Sequence, residues 1–304
     1  MRTLFRGTDR LYRTTQKNFL VVECQNCRLI RLDPRPEVEE LKTYYPENYW
    51  FSPGTGAASR LEETYRRLVL RDHVNFVTRA LVDSGEQGPV VDIGCGGGLF
   101  LRILREAGYA GVGLDNSTGA ARVAWRQNGV PVICGDLTES PLDRGGFALV
   151  SMFHVLEHVY DPVAYLRTAR DLLSSNGRLV VQVPNASSWQ FLLFGERWNG
   201  VDVPRHLVNF RQSDLENLLD YCGFEVVRRK HFSLRDNPAG FATSVAPWLD
   251  PMARRVRGLK EAAATRLVKD FLYLSLGIVS LPFTVFEAAC GAGSSVMIEA
   301  RKKP

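Results

Sequence analysis

The stretch Val90-Val91-Asp92-Ile93-Gly94-Cys95-Gly96-Gly97-Gly98 joins a short apolar strand to a run of glycines, and the reading of the whole chain turns on it. Glycine accepts left-handed backbone and carries no side chain, so the run lets the chain turn sharply and lets a ligand approach the main chain. A helix expected over 99–107 then aims free N–H groups and the positive end of its dipole at that ligand.

Working outward, strands are expected at 111–114, 130–134, 147–152, 178–183 and 224–229, with helices at 118–127, 163–173 and 213–222 between them. Strands and helices alternating at this pace imply βαβ units and a parallel sheet covered on both faces. A last strand is expected at 295–300. Upstream, apolar residues recur at helical spacing from Arg60 to about Val82 (Leu61, Tyr65, Leu68, Val69, Val74). The chain therefore divides into an N-terminal segment (1–57), a core (58–234), an insertion (235–293) and a final strand with its tail (294–304). Ser52-Pro53-Gly54-Thr55-Gly56 reads as the linker between the first two.

Two cofactor classes fit a strand, a glycine turn and a helix. A dinucleotide site needs G-x-G-x-x-G, but after Gly94 and Gly96 the third position is Leu99. Asp92 is also badly placed beside a pyrophosphate and well placed beside a cationic ammonium or sulfonium. This weighs against a nicotinamide-dependent oxidoreductase, the main alternative to a methyl-transfer enzyme; a binding module without catalysis is the other. Asp115, at the end of the second strand, stands where a carboxylate receives ribose hydroxyls.

The order Val-Asp-Ile-Gly-Cys-Gly-Gly-Gly, then Gly113-Leu114-Asp115-Asn116-Ser117, then Gly135-Asp136-Leu137, resembles class I S-adenosylmethionine (SAM) dependent methyltransferases. The resemblance covers roughly residues 60–230 and the final strand. It implies a Rossmann-like α/β sheet of seven strands with the last antiparallel, and SAM as cofactor. Asp92, Gly94, Cys95, Gly96 and Gly98 are then expected around the methionine part, Asp115 and Asn116 at the ribose, Asp136 at the adenine amino group and Leu137 beside the ring. The reaction expected is SN2 transfer of a methyl group to an oxygen or carbon of a small molecule: a sugar, a lipid-linked glycan or a phenolic precursor.

After the fourth strand, Phe153-His154-Val155-Leu156-Glu157-His158-Val159-Tyr160-Asp161-Pro162 is similar to a segment of ubiquinone-biosynthesis O-methyltransferases. That likeness implies that Phe153 and His154 flank the cofactor and face the acceptor. The letters H-x-x-E-H also spell a zinc-protease signature, but that motif requires a long helix, and here a strand precedes it and Asp161-Pro162 ends it. A divalent metal held by His154, Glu157 and His158, with His206, is weighed against Glu157 and His158 capping the next helix; the structural role is preferred. Pro204-Arg205-His206-Leu207 lies in a long loop after the fifth strand, where long loops are commonly functional. His206 and His154 are the two candidate bases, because imidazole titrates near working pH.

Cys24-Gln25-Asn26-Cys27, on an expected hairpin, is half of a zinc ribbon, whereas structural zinc takes four ligands. With the aromatic stretch from Tyr44 to Phe51 it resembles the N-terminal module of bacterial sugar C-methyltransferases, in which a further C-x-x-C comes earlier. The segment is accordingly expected to be a zinc-ribbon remnant without metal, or to complete a pair lying upstream. The six cysteines are otherwise scattered, which suits a reducing compartment. The first residues show no signal-peptide pattern, so a cytoplasmic enzyme is expected.

The formal charge is +5 over 304 residues, with no Lys/Arg tract, so no nucleic-acid partner is expected. Phe271 to Phe286 carries no charge for 16 residues, which is short for a membrane span, and Pro282 interrupts it. Arg254, Arg255, Arg257, Lys260, Arg266 and Lys269 precede it. Between 254 and 286 a lid, a homodimer surface or a helix lying on the inner membrane face are the candidate roles.

Overall fold

The computed structural model describes residues 1–46, 49 and 57–304, without the side chains of 57–62. The expected linker at 52–56, the side chain of Leu61 and Glu47, Asn48, Trp50 and Phe51 of the aromatic stretch lie outside the described residues.

The chain opens with three antiparallel strands, β1 (Arg2–Gly7), β2 (Phe19–Glu23) and β3 (Ile30–Asp33), followed by helix α1 (Val38–Thr43). Cys24 to Cys27 form the turn between β2 and β3, with Arg28 N bonded to the Cys24 carbonyl at 2.9 Å. A long helix, α2 (Ala57–Ser84), then leads into the core.

The core alternates as read from the sequence: β4 (Val90–Ile93), α3 (Leu99–Glu106), β5 (Gly111–Asp115), α4 (Thr118–Asn128), β6 (Val132–Cys134), β7 (Phe147–Phe153), α5 (Pro162–Leu172) and β8 (Leu173–Pro184). All four residues of β4 are buried, as a strand covered on both faces requires. Helix starts carry their own stops and caps. Ser117 accepts from Ala120 N at the start of α4, and Gly129 ends that helix in left-handed conformation. At α5, Asp161 accepts from Ala164 N and Pro162 occupies the first turn.

Beyond β8 come α6 (Trp189–Phe194), a short strand β9 (Val208–Asn209), α7 (Gln212–Tyr221) and β10 (Phe224–Lys230). The insertion is helical: α8 (Asn237–Val245), α9 (Pro251–Val256) and α10 (Ala263–Ala289). Strand β11 (Ser295–Lys302) closes the chain. The main sheet has the order β10-β11-β8-β7-β4-β5-β6. Neighbours from β8 to β6 pair in parallel, and β11 runs antiparallel to both β8 and β10. This is the seven-stranded sheet with an antiparallel last strand that the sequence led us to expect.

Two apolar layers hold the helices to the sheet. On one face Val77, Ala80 and Leu81 of α2 pack with Leu101 and Leu104 of α3 on Val90 and Leu149. On the other, Leu166 and Ala169 of α5 and Leu215 and Leu219 of α7 cover Val91, Val150 and Met152. Each fully buried Leu or Val contributes about 1.5–3 kcal/mol by leaving water. The strand order reverses between β4 and β7, and in open α/β sheets the ligand crevice lies outside the carboxyl ends at that reversal.

The N-terminal strands are not separate from this core. β9 adds to β3, giving a four-stranded sheet β1-β2-β3-β9, and Phe19, Val21, Ile30 and Leu32 pack on Trp198, Val203 and Leu207 of the loop after β8.

Candidate active site

The glycine turn sits at the carboxyl end of β4, beside the reversal point. Gly94, Gly96 and Gly98 all have positive φ (72°, 52° and 73°), which L side chains rarely adopt. A Cβ on Gly94 would meet Val155 Cγ2 at 2.6 Å, and one on Gly98 would meet Ala124 at 2.9 Å. At Gly96 a Cβ would point into open space, leaving an uncluttered backbone facing the crevice. Gly98 is also the N-cap of α3, so the free N–H groups of that helix open toward the same place.

Carboxylates surround the turn. Asp92 is buried behind it and accepts from Ser151 Oγ at 2.7 Å. Burial, reinforced by the nearby charge of Asp115, pushes its pKa up to about 7, although the Ser151 hydrogen bond opposes the rise. Asp115 is buried too and accepts from Gly96 N at 2.9 Å and Ser117 N at 2.8 Å, so it braces the turn as well as facing the crevice. Asn116 beside it is exposed. The Cys95 thiol is buried and pushed well up by desolvation.

At the end of β6, Asp136 accepts from Thr138 N at 2.9 Å and from the Tyr165 hydroxyl. Burial works to raise its pKa, but these bonds outweigh it and hold the carboxyl low. Both its oxygens thus have protein partners, and an adenine amino group would share them. Leu137 is wholly buried and its side chain belongs to the core.

At the end of β7, the Phe153 ring stands edge-on to Phe100 at 5.0 Å and to His73 at 5.1 Å. His154 follows with φ +59°, a left-handed backbone that is costly for a side chain of this size. Its Nδ1 lies 3.1 Å from Glu157 Oε1 and its Nε2 3.5 Å from Asp236 Oδ1. Burial lowers the imidazole pKa, but the two carboxylates outweigh it and raise it to about 9. The two carboxylates thus favour the protonated ring over the neutral one.

Glu157, His158 and His206 come together on the acceptor side: one ligand-type atom from each lies within 4.8 Å of the others. Neither Glu157 nor His158 caps the next helix, as the sequence reading preferred; Asp161 does. Glu157 is buried between His154 and this pair, and its Oε2 has no hydrogen-bond partner. His158 Nδ1 lies 2.9 Å from the Tyr45 hydroxyl and 3.1 Å from the Arg205 carbonyl. Burial and His206 depress its pKa to about 4, so it is neutral. His206 Nδ1 lies 2.8 Å from the Gly200 carbonyl, which only accepts, so that nitrogen is the donor and the lone pair of a neutral ring would sit on Nε2. The metal-type group is thus Glu157, His158 and His206, while His154 lies outside it with Nδ1 on Glu157 and a buried Nε2 that has no hydrogen-bond partner. Among the described residues no third cysteine, histidine or carboxylate joins Cys24 and Cys27.

Several site residues escaped the sequence reading. Asp236, at the start of α8, accepts from Gln182 Nε2 at 2.7 Å, pairs with Arg235 Nε at 2.8 Å and lies 3.7 Å from His73 Nε2. Arg205 is fully buried and pairs with Asp9 Oδ1 at 2.8 Å and Asp202 Oδ1 at 2.6 Å, its guanidinium lying 4.3 Å from the centre of the Tyr12 ring. An arginine beside the proline and histidine of that loop was the available signal for the second. Nothing local pointed to the first.

The reversal point, the glycine turn with α3 behind it and the acids at the ends of β4, β5 and β6 define a nucleotide-binding sheet of the class I methyltransferase kind. A family model described as a methyltransferase domain matches residues 61–229, more than half of the chain. The chain belongs to that family and is a class I SAM-dependent methyltransferase. It is 30% identical over 198 residues to a ubiquinone biosynthesis O-methyltransferase of Ruegeria pomeroyi, a match covering 57% of this chain and 77% of that protein. To a probable S-adenosylmethionine-dependent methyltransferase of Mycolicibacterium smegmatis it is 28% identical over 184 residues, 59% of this chain and 61% of that protein. In fold it is similar to a SAM-dependent methyltransferase from Archaeoglobus fulgidus, with a TM-score of 0.51 at 18% identity over 81% of this chain and 100% of the other.

Proposed function

We propose that this methyltransferase moves the SAM methyl group to a hydroxyl oxygen of a small molecule, with His206 as the base. The observation that carries this reading is the Gly200 carbonyl on His206 Nδ1, which assigns the lone pair of the neutral ring to Nε2, in one cluster with Glu157, whose Oε2 has no partner. A methyl group moving to oxygen leaves a hydroxyl proton to be removed. Nε2 accepts it, and the imidazolium formed is stabilised by Glu157 across the trio. A phenolic hydroxyl suits such a base because its pKa is already near 10. The Ruegeria relative, a ubiquinone biosynthesis O-methyltransferase, supports the same acceptor class.

Assay of the protein with SAM and a panel of catechols, sugars and glycolipids tests the acceptor, and turnover of the phenols is expected. His206→Ala is expected to lower kcat by about 10²–10⁴-fold, the usual contribution of a positioned base. SAM affinity measured by calorimetry is expected to stay within about twofold, since a nearly neutral change in binding accompanies loss of a purely catalytic group. Unchanged turnover with an acceptor that the wild type methylates would remove His206 from the mechanism.

A second reading rests on the same trio. Glu157 Oε2 and the imidazole nitrogens not already bonded form an N/O donor set of the kind that holds a divalent cation. Such an ion would orient acceptor oxygens. Undiminished turnover after chelation excludes it.

A further inference from the structure

Helix α10 is built inside out. Its polar residues face the protein: the Tyr273 hydroxyl lies 2.9 Å from Thr243 Oγ1, and Glu287 accepts from Gln190 N at 2.9 Å and Nε2 at 3.0 Å, while Ser280 and Thr284 are buried. Its large apolar residues face outward, with Phe271 at 65%, Val279 at 76% and Phe286 at 61% exposure. The most apolar 18-residue window has a mean hydropathy of 1.6 and is only 17% buried. A surface helix of a soluble domain shows the opposite arrangement. The face continues onto α6, where Leu192 and Leu193 are exposed and Trp189 packs 5.7 Å from the Phe286 ring.

We infer that this face lies on an anionic membrane surface, and that the acceptor is presented from that surface. The inference about the acceptor rests on the proposed function; the docking does not.

Charge complementarity selects this occupant. From Asp250 to Asp270, leading into the apolar face, six basic residues stand against three acids, and while Arg254, Arg266 and Lys269 pair with Glu261 and Asp270, Arg257 and Lys260 have no acid partner among the described ion pairs. Arg10 donates to the Arg197 carbonyl just past α6, and Arg257 lies close enough to Arg13 that, after burial, this neighbour lowers its pKa. Lys260 is exposed just before α10, and Arg266 near its start is exposed beside Asp270, 3.8 Å away. Like charges gathered beside an apolar face suit anionic headgroups. A second copy offers no such match. In an antiparallel pair of α10 helices the basic start would oppose Ala288, Ala289 and Cys290, and the acid nearest that end, Glu287, is buried on Gln190. The exposed apolar positions from Leu272 to Leu274 also fan over about 160° of the helix at 100° per residue, wider than the seam one partner helix covers.

The same inner bonds decide how the helix sits. Tyr273 and Glu287 tie one side of α10 to α8 and α6, so lipid reaches only the other side and the helix lies in the interface rather than crossing it. Its C-terminal end leads directly to the active-site edge. Ala292 accepts from Trp189 N, and Ser295, where β11 begins, accepts from Gln182 Nε2, which also donates to Asp236 beside His154.

The test is sedimentation of the full chain with vesicles of phosphatidylcholine containing 30% phosphatidylglycerol or none, at low salt (a probe composition of about one anionic lipid in three mimics an anionic leaflet). Binding to the anionic vesicles is expected, at least about tenfold weaker for the neutral ones and falling with salt. Ile278→Asp with Val279→Asp is expected to abolish it. Arg257→Glu with Lys260→Glu, which leaves the apolar face intact, is expected to weaken anionic binding about tenfold or more at an unchanged melting temperature. Absence of sedimentation, equal binding by either variant, or a wild-type dimer in light scattering that the aspartate variant dissociates would each overturn the docking. SAM affinity and turnover of a soluble phenol are measured on the same preparations. Loss of those with vesicle binding intact overturns the proposed function instead.

Discussion

Asp92 lies behind the glycine turn with Ser151 as its hydrogen-bond donor, and burial lifts its pKa to about 7. Its charge near neutral pH therefore depends on what lies across from it. A cationic methionine group stabilises the ionised form, so binding SAM lowers this pKa and releases a proton. The sign follows: affinity rises with pH until the free carboxyl is ionised and levels off above about pH 7. Below that, the SAM dissociation constant is expected to weaken by up to about tenfold per pH unit, because each unit is 1.36 kcal/mol. Calorimetry from pH 5.5 to 8.5 (a range of about three units around the transition) reads it, and Asp92→Asn is expected to flatten the profile. The residue was legible in the sequence, because an acid ending a strand before glycines has a fixed place. Its pKa was not, since that comes from Ser151, Asp115 and the packing around them. His154 shows the same division more sharply: its position was readable, its charge depends on Asp236 from another part of the chain.

At the scale of elements, the glycine turn and α3 act as one piece. Gly98→Ala places a side chain in left-handed backbone and brings its Cβ to 2.9 Å from Ala124 on α4. A cost of about 1–2 kcal/mol from the backbone, with more from the displaced helix, is expected in urea unfolding. SAM binding is expected to weaken at the same time, because the N-terminus of α3 shifts. Strand and helix positions in the core were legible to within a few residues, since period and caps are local signals. The exception is instructive. The helix was expected to run to 173 and the strand to begin at 178, yet β8 begins at Leu173, because Leu173 pairs with Phe147 and draws the segment into the sheet. Strand β9 has only two residues and owes its existence to β3.

For the whole molecule, Arg205 joins the N-terminal sheet to the loop that carries His206. Its guanidinium is buried between Asp9, from the first strands' loop, and Asp202. Arg205→Ala leaves both carboxylates without a counter-charge in a buried site. Breaking such a pair from one side costs about 3–5 kcal/mol. Thermal and urea unfolding are expected to show that loss, together with a drop in turnover as His206 loses its setting. A stability within about 0.5 kcal/mol of wild type, the range of an ordinary surface change, would show that the junction is held by other contacts. The N-terminal segment, read from sequence as a zinc-ribbon remnant, packs on that loop and sets Tyr45 on His158.

The class of fold and the cofactor were determined by the sequence itself. Alternating periodicity sets strands and helices, and Asp92, the glycines, Asp115 and Asp136 each stand at the end of a parallel strand, so spacing along the chain translates directly into position around one crevice. Only the tertiary structure brought Glu157, His158 and His206 together, set Asp236 beside His154 and turned the apolar face of α10 outward. These depend on groups brought together from distant segments: Gly200 with His206, Asp236 with His154, Tyr273 with Thr243. The glycine turn is a local conformation and can be read from contiguous residues. Protonation and burial are set by whatever else the fold packs nearby, and that is fixed only when the chain has closed.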